Sequence, residues 1–205
     1  MPRTSDARER LLQAAIDLIW AKSYGAVSVE DICQRAGVQK GSFYHFFPSK
    51  DDLVIAALER HWRMTAAPLM DRIFSAGTAP LERLQNYLAY IPVRQEELFE
   101  KYGRVVGCPF GSLAIEVPAD SAIAAAAKAY LRRKCRYLES TIRDLKADGI
   151  LSEQTDAGAL TQSLWTFLEG ALAQARISND LAPTKSLAAA SLQFLGIDAQ
   201  LAASR

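Results

Sequence analysis

Three features of this 205-residue chain predict an all-α fold. Apolar residues recur at three- and four-residue spacing along most of its length. Ala-rich stretches from Ala122 to Ala127 and from Ala188 to Ala190 favour helix, as do the Leu, Glu, Arg and Lys that fill the rest. Only eleven Gly and eight Pro interrupt the pattern. With 50% hydrophobic and 23% charged residues the composition is that of an ordinary globular protein, long enough for one sizeable core or for a small module resting on a larger one.

The elements follow in order. Thr4 or Ser5 caps a first helix whose residues Leu11, Leu12, Ala15, Leu18 and Ile19 share one face, ending near Lys22 before Gly25. Ser28 precedes the stripe Val29, Ile32, Cys33, Ala36, a helix of two turns that stops at Gly37. A third short helix carries Gln39 to Phe46. Pro48-Ser49 then breaks the chain, with Asp51 and Asp52 in the first turn of a fourth helix expected from Asp51 to Phe74. Gly77 to Pro80 interrupts. A fifth helix is expected from Leu81 to about Val93, where Pro92 marks its end. The glycines at 103, 107 and 111 allow only a short helix around Phe110 to Glu116. A long helix from Asp120 to about Lys146 closes at Asp148-Gly149, and two last helices span Asp156 to Ser178 and Lys185 to about Ala199.

Charge and cysteine usage bound the function. A formal net charge of +1 provides no global drive toward nucleic acid, so a DNA reader must rest on a local site. Residues 1–50 carry a small excess of cations, with Arg3, Arg8, Arg10, Lys22, Arg35, Lys40 and Lys50 against Asp6, Glu9, Asp17, Glu30 and Asp31. Cys33, Cys108 and Cys135 are far apart, odd in number and without metal-ligand spacing, which fits a reducing compartment. Gln13 and Asp17 break the apolar run from Leu11 to Trp20, so neither a signal peptide nor a membrane span is expected. The expected location is the cytoplasm.

Helix, tight glycine turn, helix is the arrangement that lays a second helix in the major groove while the first crosses the backbone. Ala36-Gly37-Val38 supplies a small residue, a turn residue tolerant of positive φ and an aliphatic wedge. Lys40 offers a cation to phosphate or to a guanine edge, Gly41 removes a side chain where backbone must approach DNA, and Ser42 hydrogen-bonds to either. Tyr44 and His45 add polar tips, and Lys50 with the first amides of the fourth helix makes a second phosphate site. The plainer alternative is a compact three-helix core with a solvated basic face. Phe43, Phe46 and Phe47 are packing residues, since duplex DNA exposes few base faces.

The run Ser28-Val29-Glu30-Asp31-Ile32 and then Ala36-Gly37-Val38-Gln39-Lys40-Gly41-Ser42-Phe43-Tyr44-His45-Phe46-Phe47-Pro48-Ser49-Lys50 resembles the DNA-binding domain of TetR-family regulators, over about residues 8–58. The resemblance implies about nine helices, a helix-turn-helix DNA-binding domain over residues 1–50, and a ligand-binding and dimerisation domain over 51–205. It implies a homodimer formed mainly by the last two helices, binding an inverted-repeat operator in double-stranded DNA. It also implies that Ser28, Lys40, Tyr44 and Lys50 meet phosphates, with Gln39, Ser42 and His45 near base edges. Two departures from the commonest family pattern are Gln39, where Ser or Thr is usual, and Phe46, where His is frequent.

In the rest of the chain, Leu160, Leu164, Phe167, Leu168, Ala171, Leu172 and Ala175 form a wide stripe beside Gly170, and the last helix adds Leu187, Leu192, Phe194 and Leu195. Part must be intramolecular core, and the surplus predicts a two-fold four-helix interface, with Leu168 and Leu172 in it. Trp62, Tyr87, Phe99, Phe110, Tyr130 and Trp165 are expected around the second domain's interior. Trp62, Tyr87, Cys108, Phe110, Tyr130 and Trp165 are the candidate lining of an effector site for a small apolar or aromatic molecule. His61 is expected to be a packing histidine rather than a ligand contact.

Cys108 precedes a helix N-terminus in a run, Gly107 to Glu116, that resembles a segment of one branch of these regulators where a cysteine senses oxidants or electrophiles. That is the alternative effector route. No nucleophile elbow, phosphate loop or metal spacing occurs and only two histidines are present, so no enzyme, metal or cofactor is expected.

Overall fold

The computed structural model describes residues 4–197, which form helices joined by short turns, with no strand among them. The helices are α1 (Thr4–Ala21), α2 (Val29–Ala36), α3 (Lys40–Phe46), α4 (Lys50–His61), α5 (Ala67–Ile73), α6 (Pro80–Tyr102), α7 (Pro109–Glu116), α8 (Ala122–Ala147), α9 (Ala157–Ser178), α10 (Ala182–Lys185) and α11 (Leu187–Phe194). They pack into two compact units, Met1–Ala67 with Pro109–Leu131, and Pro68–Cys108 with Arg132–Arg205. A functional boundary expected at residue 50 and this division by packing differ, because α4, α7 and the start of α8 all belong to the first unit.

In the first unit α1 lies against α2, α3 and α4. Its face of Leu11, Leu12, Ala15 and Ile19 is buried, as are Ile32 of α2, Phe43 of α3 and Leu53 of α4. Each of the Leu, Ile and Phe side chains among them contributes about 1.5–3 kcal/mol on leaving water. The capping role expected of Thr4 or Ser5 lies outside the residues whose side chains are described.

In the second unit one apolar cluster joins Met70 of α5, Leu84 and Leu88 of α6, Leu138, Ile142 and Leu145 of α8, Leu164, Leu168 and Leu172 of α9, and Leu187 and Leu192 of the last helices. Arg83 ties α6 to α8 through a 2.9 Å ion pair with Asp144. Leu168 and Leu172 are 2% and 8% exposed, so their place is this core and not a face offered to a partner. The sequence pattern counted a wide stripe correctly but could not tell which part of it the chain's own α6 and α11 cover.

Three boundaries differ from the expectation. Helix α6 does not end at Pro92 but continues to Tyr102, where Gly103 turns left-handed (φ 67°) and donates to the Phe99 carbonyl. A proline inside a helix costs about 3 kcal/mol, and the buried Ile91, Gln95 and Leu98 around it offset that cost. The long fourth helix is interrupted by a π turn at Trp62–Ala66, in which the Ala67 N–H reaches the Trp62 carbonyl. Pro68 follows at once and has no N–H for the preceding turn, so a wider turn there relieves both the missing bond and the ring clash. The last helix, expected from Lys185 to about Ala199, is shorter: a single turn, α10, precedes it, and α11 ends at Phe194, two residues before the left-handed Gly196 (φ 69°).

Candidate nucleic-acid interface and effector core

Helix α2 is defined at both ends by its own residues. Ser28 is its N-cap: the Asp31 N–H donates to Ser28 Oγ (3.1 Å), and the Ser28 N–H donates to Asp31 Oδ2 (2.8 Å). The Ser28 hydroxyl also donates to Asp31 Oδ2, and this bond first, with that from the Ser28 N–H, holds the Asp31 carboxyl below the usual carboxylate range. At the other end Gly37 is left-handed (φ 62°), and the Gly37 and Val38 amides close on the carbonyls of Gln34 and Cys33. This turn aims α3 away from α2. Val38, expected as a buried wedge, is half-buried.

Helix α3 is anchored by Phe43, fully buried, with its ring edge-on to Tyr44 at 5.1 Å and tilted against Phe47 at 6.1 Å. That one anchor leaves Gln39, Lys40, Gly41, Ser42, Tyr44 and His45 exposed. None of the polar ends of Gln39, Lys40, Ser42, Tyr44 and His45 makes a side-chain hydrogen bond or ion pair among the described residues. A Cβ added at Gly41 would meet nothing within 4 Å, so no intramolecular contact demands glycine there.

Ser28 and Lys50 sit differently. The Ser28 hydroxyl is committed to the capping box. Lys50 Nζ donates to the carbonyls of Tyr24 (3.1 Å) and Val27 (2.9 Å) and lies 3.8 Å from the Tyr24 ring centroid. Burial lowers its pKa, against the pull of Asp51. The Tyr24 hydroxyl donates to Asp51, and its backbone N–H donates to Glu116 of α7 at 2.8 Å. Burial and the Asp51 contact push the Tyr24 phenol up. Two of the three Lys50 donors therefore fasten α4 to the turn between α1 and α2, an arrangement that residue type alone did not signal.

The six candidate effector residues separate into two groups. Trp62, Phe110 and Tyr130 fall in the first unit. There Phe110 stacks on Tyr130 (3.8 Å, 19°), Trp62 meets Tyr130 edge-on at 5.2 Å, and Trp20 meets Phe110 edge-on at 5.7 Å. His61 Nδ1 and the Tyr130 hydroxyl are 2.8 Å apart, so His61 is a hydrogen-bonded packing histidine of this cluster. Tyr87, Cys108 and Trp165 fall in the second unit. The expectation that all these aromatics surround one interior is corrected, because α7 and the start of α8 pack with the first unit.

The second group holds two residues that the sequence reading missed. Lys134 Nζ lies 5.9 Å from both the Tyr87 and the Trp165 ring centroids. The Cys108 thiol lies beside the Glu169 carboxyl. Burial pushes the Glu169 carboxyl up, while the Cys108 thiol and the Lys134 charge pull it down. The Tyr87 phenol is pushed up by burial too. A signal existed: Lys134 and Glu169 each stand one helical turn beyond a residue already chosen, Tyr130 and Trp165.

Among the described residues no group of side chains is placed to hold a metal ion, and no helix is long and apolar enough to cross a membrane.

A family model described as "Bacterial regulatory proteins, tetR family" matches residues 11–57, and one described as "Tetracyclin repressor-like, C-terminal domain" matches residues 80–191. The chain belongs to the TetR family. Among its relatives are the transcriptional regulator AcuR of Cereibacter sphaeroides, 33% identical over 86% of this chain and 79% of that protein, and the transcriptional repressor NemR of Escherichia coli, 28% identical over 88% and 89%. A crystal structure of a regulatory protein TetR from Rhodobacter sphaeroides superposes with a TM-score of 0.77 at 31% identity, covering 92% of this chain and 98% of that one. A TetR-family regulator from Agrobacterium tumefaciens gives 0.82 at 25% identity, covering 94% and 99%. TetR-family regulators bind DNA and act as dimers, and these relatives are regulators rather than enzymes, as this chain is.

Proposed function

We propose that this TetR-family protein is a homodimeric, cytoplasmic repressor that reads an inverted-repeat operator with α3 and is released by a small apolar or aromatic molecule. The observation that carries the DNA-reading part is the state of α3: one buried ring fixes the helix, and its remaining polar ends are unused within the chain. Gln39, Ser42 and His45 read base edges, while Lys40 and Tyr44 meet phosphates. Ser28 and Lys50 act on the backbone with what their internal bonds leave over, the third Lys50 donor above all.

For the dimer we assign the outer face of α9 and α11. Phe167 and Phe194 stack there at 5.8 Å and 2° while staying 36% and 46% exposed, and Ile177, two turns and more along α9, is 77% exposed. Rings in contact yet still open to water suit burial by a second copy.

The effector core we assign to Tyr87, Trp165, Lys134, Glu169 and Cys108, where aromatic walls surround a cation, a carboxyl and a thiol. Trp62, Phe110 and Tyr130 are the second-ranked lining. The ligand acts by its differential affinity for the DNA-bound and released conformations. A second reading has Cys108 itself modified by an electrophile or oxidant. The Glu169 carboxyl beside it offers an acceptor for the thiol proton.

Selection of duplexes from a random pool, followed by mobility shift at physiological salt, tests the first reading. An enriched inverted repeat is expected, and retention no tighter than for unselected duplex would refute it. Treating the complex with a mild electrophile and comparing release with a Cys108→Ser variant separates the two effector readings. Release of the parent alone favours the thiol.

A further inference from the structure

Beside α3 the first unit has a groove of about 440 Å³, lined by Ala7 and Arg10 of α1, Gly37 of the turn, and Gln39, Ser42 and His45 of α3 among others, with no carboxylate in its lining. Arg10 is the permanent cation in it. Its Nε–H donates to the carbonyl of Ala36 at 2.8 Å, the last residue of α2, where helix carbonyls lack intrahelical partners. Its two amino groups make no hydrogen bond or ion pair among the described residues. The guanidinium is thus held in one plane by one donor, with its outer pair of amino groups left over.

From this geometry we infer that Arg10 is a DNA contact of α1, holding one phosphodiester phosphate of each half-site in the groove beside α3. This rests on the DNA-reading function above and adds a residue to it. A guanidinium fork matches phosphate oxygens in two parallel hydrogen bonds, and one already tethered loses little side-chain freedom on binding. A phosphate suits the groove better than a base edge does. The Ala36 tether keeps the guanidinium on α1 and α2, the helices that flank the backbone, while α3 alone enters the major groove. The absence of acidic side chains from the lining leaves the anion unopposed there.

The test uses the full-length protein and a duplex that the parent selects from a random pool. Arg10→Gln keeps a donor for the Ala36 carbonyl but removes the charge. It should weaken binding to all sequences alike and reduce the slope of log affinity against log salt by about 1.8, from about 0.9 per phosphate in each of two protomers. Across a fourfold rise in salt that is about twelvefold less loss of affinity than the parent suffers. Arg10→Lys should retain the slope. In duplexes carrying single methylphosphonates, one position per half-site should penalise the parent and leave Arg10→Gln indifferent. Weaker binding by Arg10→Gln with the parent's slope, accompanied by a lower melting temperature, would reduce Arg10 to a helix tie and overturn the inference. A changed sequence preference at constant slope would assign it to base reading and overturn it equally. A parent that selects no duplex would instead refute the DNA-reading function on which the inference stands.

Discussion

Gly107→Ala isolates a contact from a backbone preference. Gly107 and Gly103 lie four residues apart in the second unit with nearly the same left-handed φ, 66° and 67°. An L-residue in that region costs about 1–2 kcal/mol, part of which is recovered because alanine restricts the unfolded chain. At Gly103 an added Cβ meets nothing within 4 Å, so a net loss of about 1 kcal/mol is the whole effect. At Gly107 the same atom would stand 2.9 Å from the backbone oxygen of Leu172 and 3.2 Å from Arg176 Cβ on α9. The segment cannot step back easily, because the Gln95 amide holds both the Gly107 N–H (3.0 Å) and its carbonyl (3.1 Å) in a buried pair of hydrogen bonds. Overpacking of this kind adds about 1–3 kcal/mol, so Gly107→Ala should lose about 2–4 kcal/mol. Urea unfolding followed by circular dichroism at one protein concentration measures both variants. Equal losses, within about 0.5 kcal/mol, would show that the segment before Cys108 is free to leave α9 and that the close approach carries no energy.

Gly41→Leu should lower operator affinity more than tenfold in fluorescence anisotropy while leaving the melting temperature unchanged or higher, since leucine is the better helix former by under ~1 kcal/mol. Loss of folding instead would give Gly41 a packing role. Phe167→Arg should shift sedimentation toward monomer with helical content intact. Leu168→Ala should lose about 2–5 kcal/mol of stability by leaving a core cavity, and a Phe167→Arg dimer as tight as the parent's would move the interface elsewhere. Because burial raises the Glu169 pKa, the folded state holds that proton more tightly than the unfolded state, and stability falls as pH rises from the ordinary carboxylate range through the raised value. Glu169→Gln should therefore be more stable at neutral pH with a flatter pH profile, and an unchanged profile would deny the buried charge.

The helix-turn-helix was legible because its signals are local: Ser28 ahead of the apolar stripe of α2, Gly37 at its end, and the phenylalanines of α3 and its exit, of which Phe43 and Phe47 are buried and Phe46 is half-buried. What escaped were effects decided at a distance. Pro92 is tolerated because Ile91, Gln95 and Leu98 are buried around it, which no window centred on a proline reveals. Leu168 and Phe167 are neighbours of similar hydrophobicity, and only the positions of α6 and α11 put one inside and one outside. Lys134 and Glu169 look like surface residues of long helices until Tyr87, Trp165 and Cys108 arrive from elsewhere in the chain. Arg10 was visible as a charge, whereas its tie to Ala36 was not.

The clasp at Lys50 has a mechanical meaning. One ammonium group joins the first turn of α4 to the carbonyls of Tyr24 and Val27, and Val27 is the residue before the cap of α2. The reading head is thereby riveted to the base of α4. A tilt of α4 at that end arrives at α3 as the same tilt, with no slack taken up between. Operator release then needs no melting of the head: two rigid keys change their angle or spacing and cease to fit two locks cut at a set distance, while their amides exchange hydrogen as slowly as before.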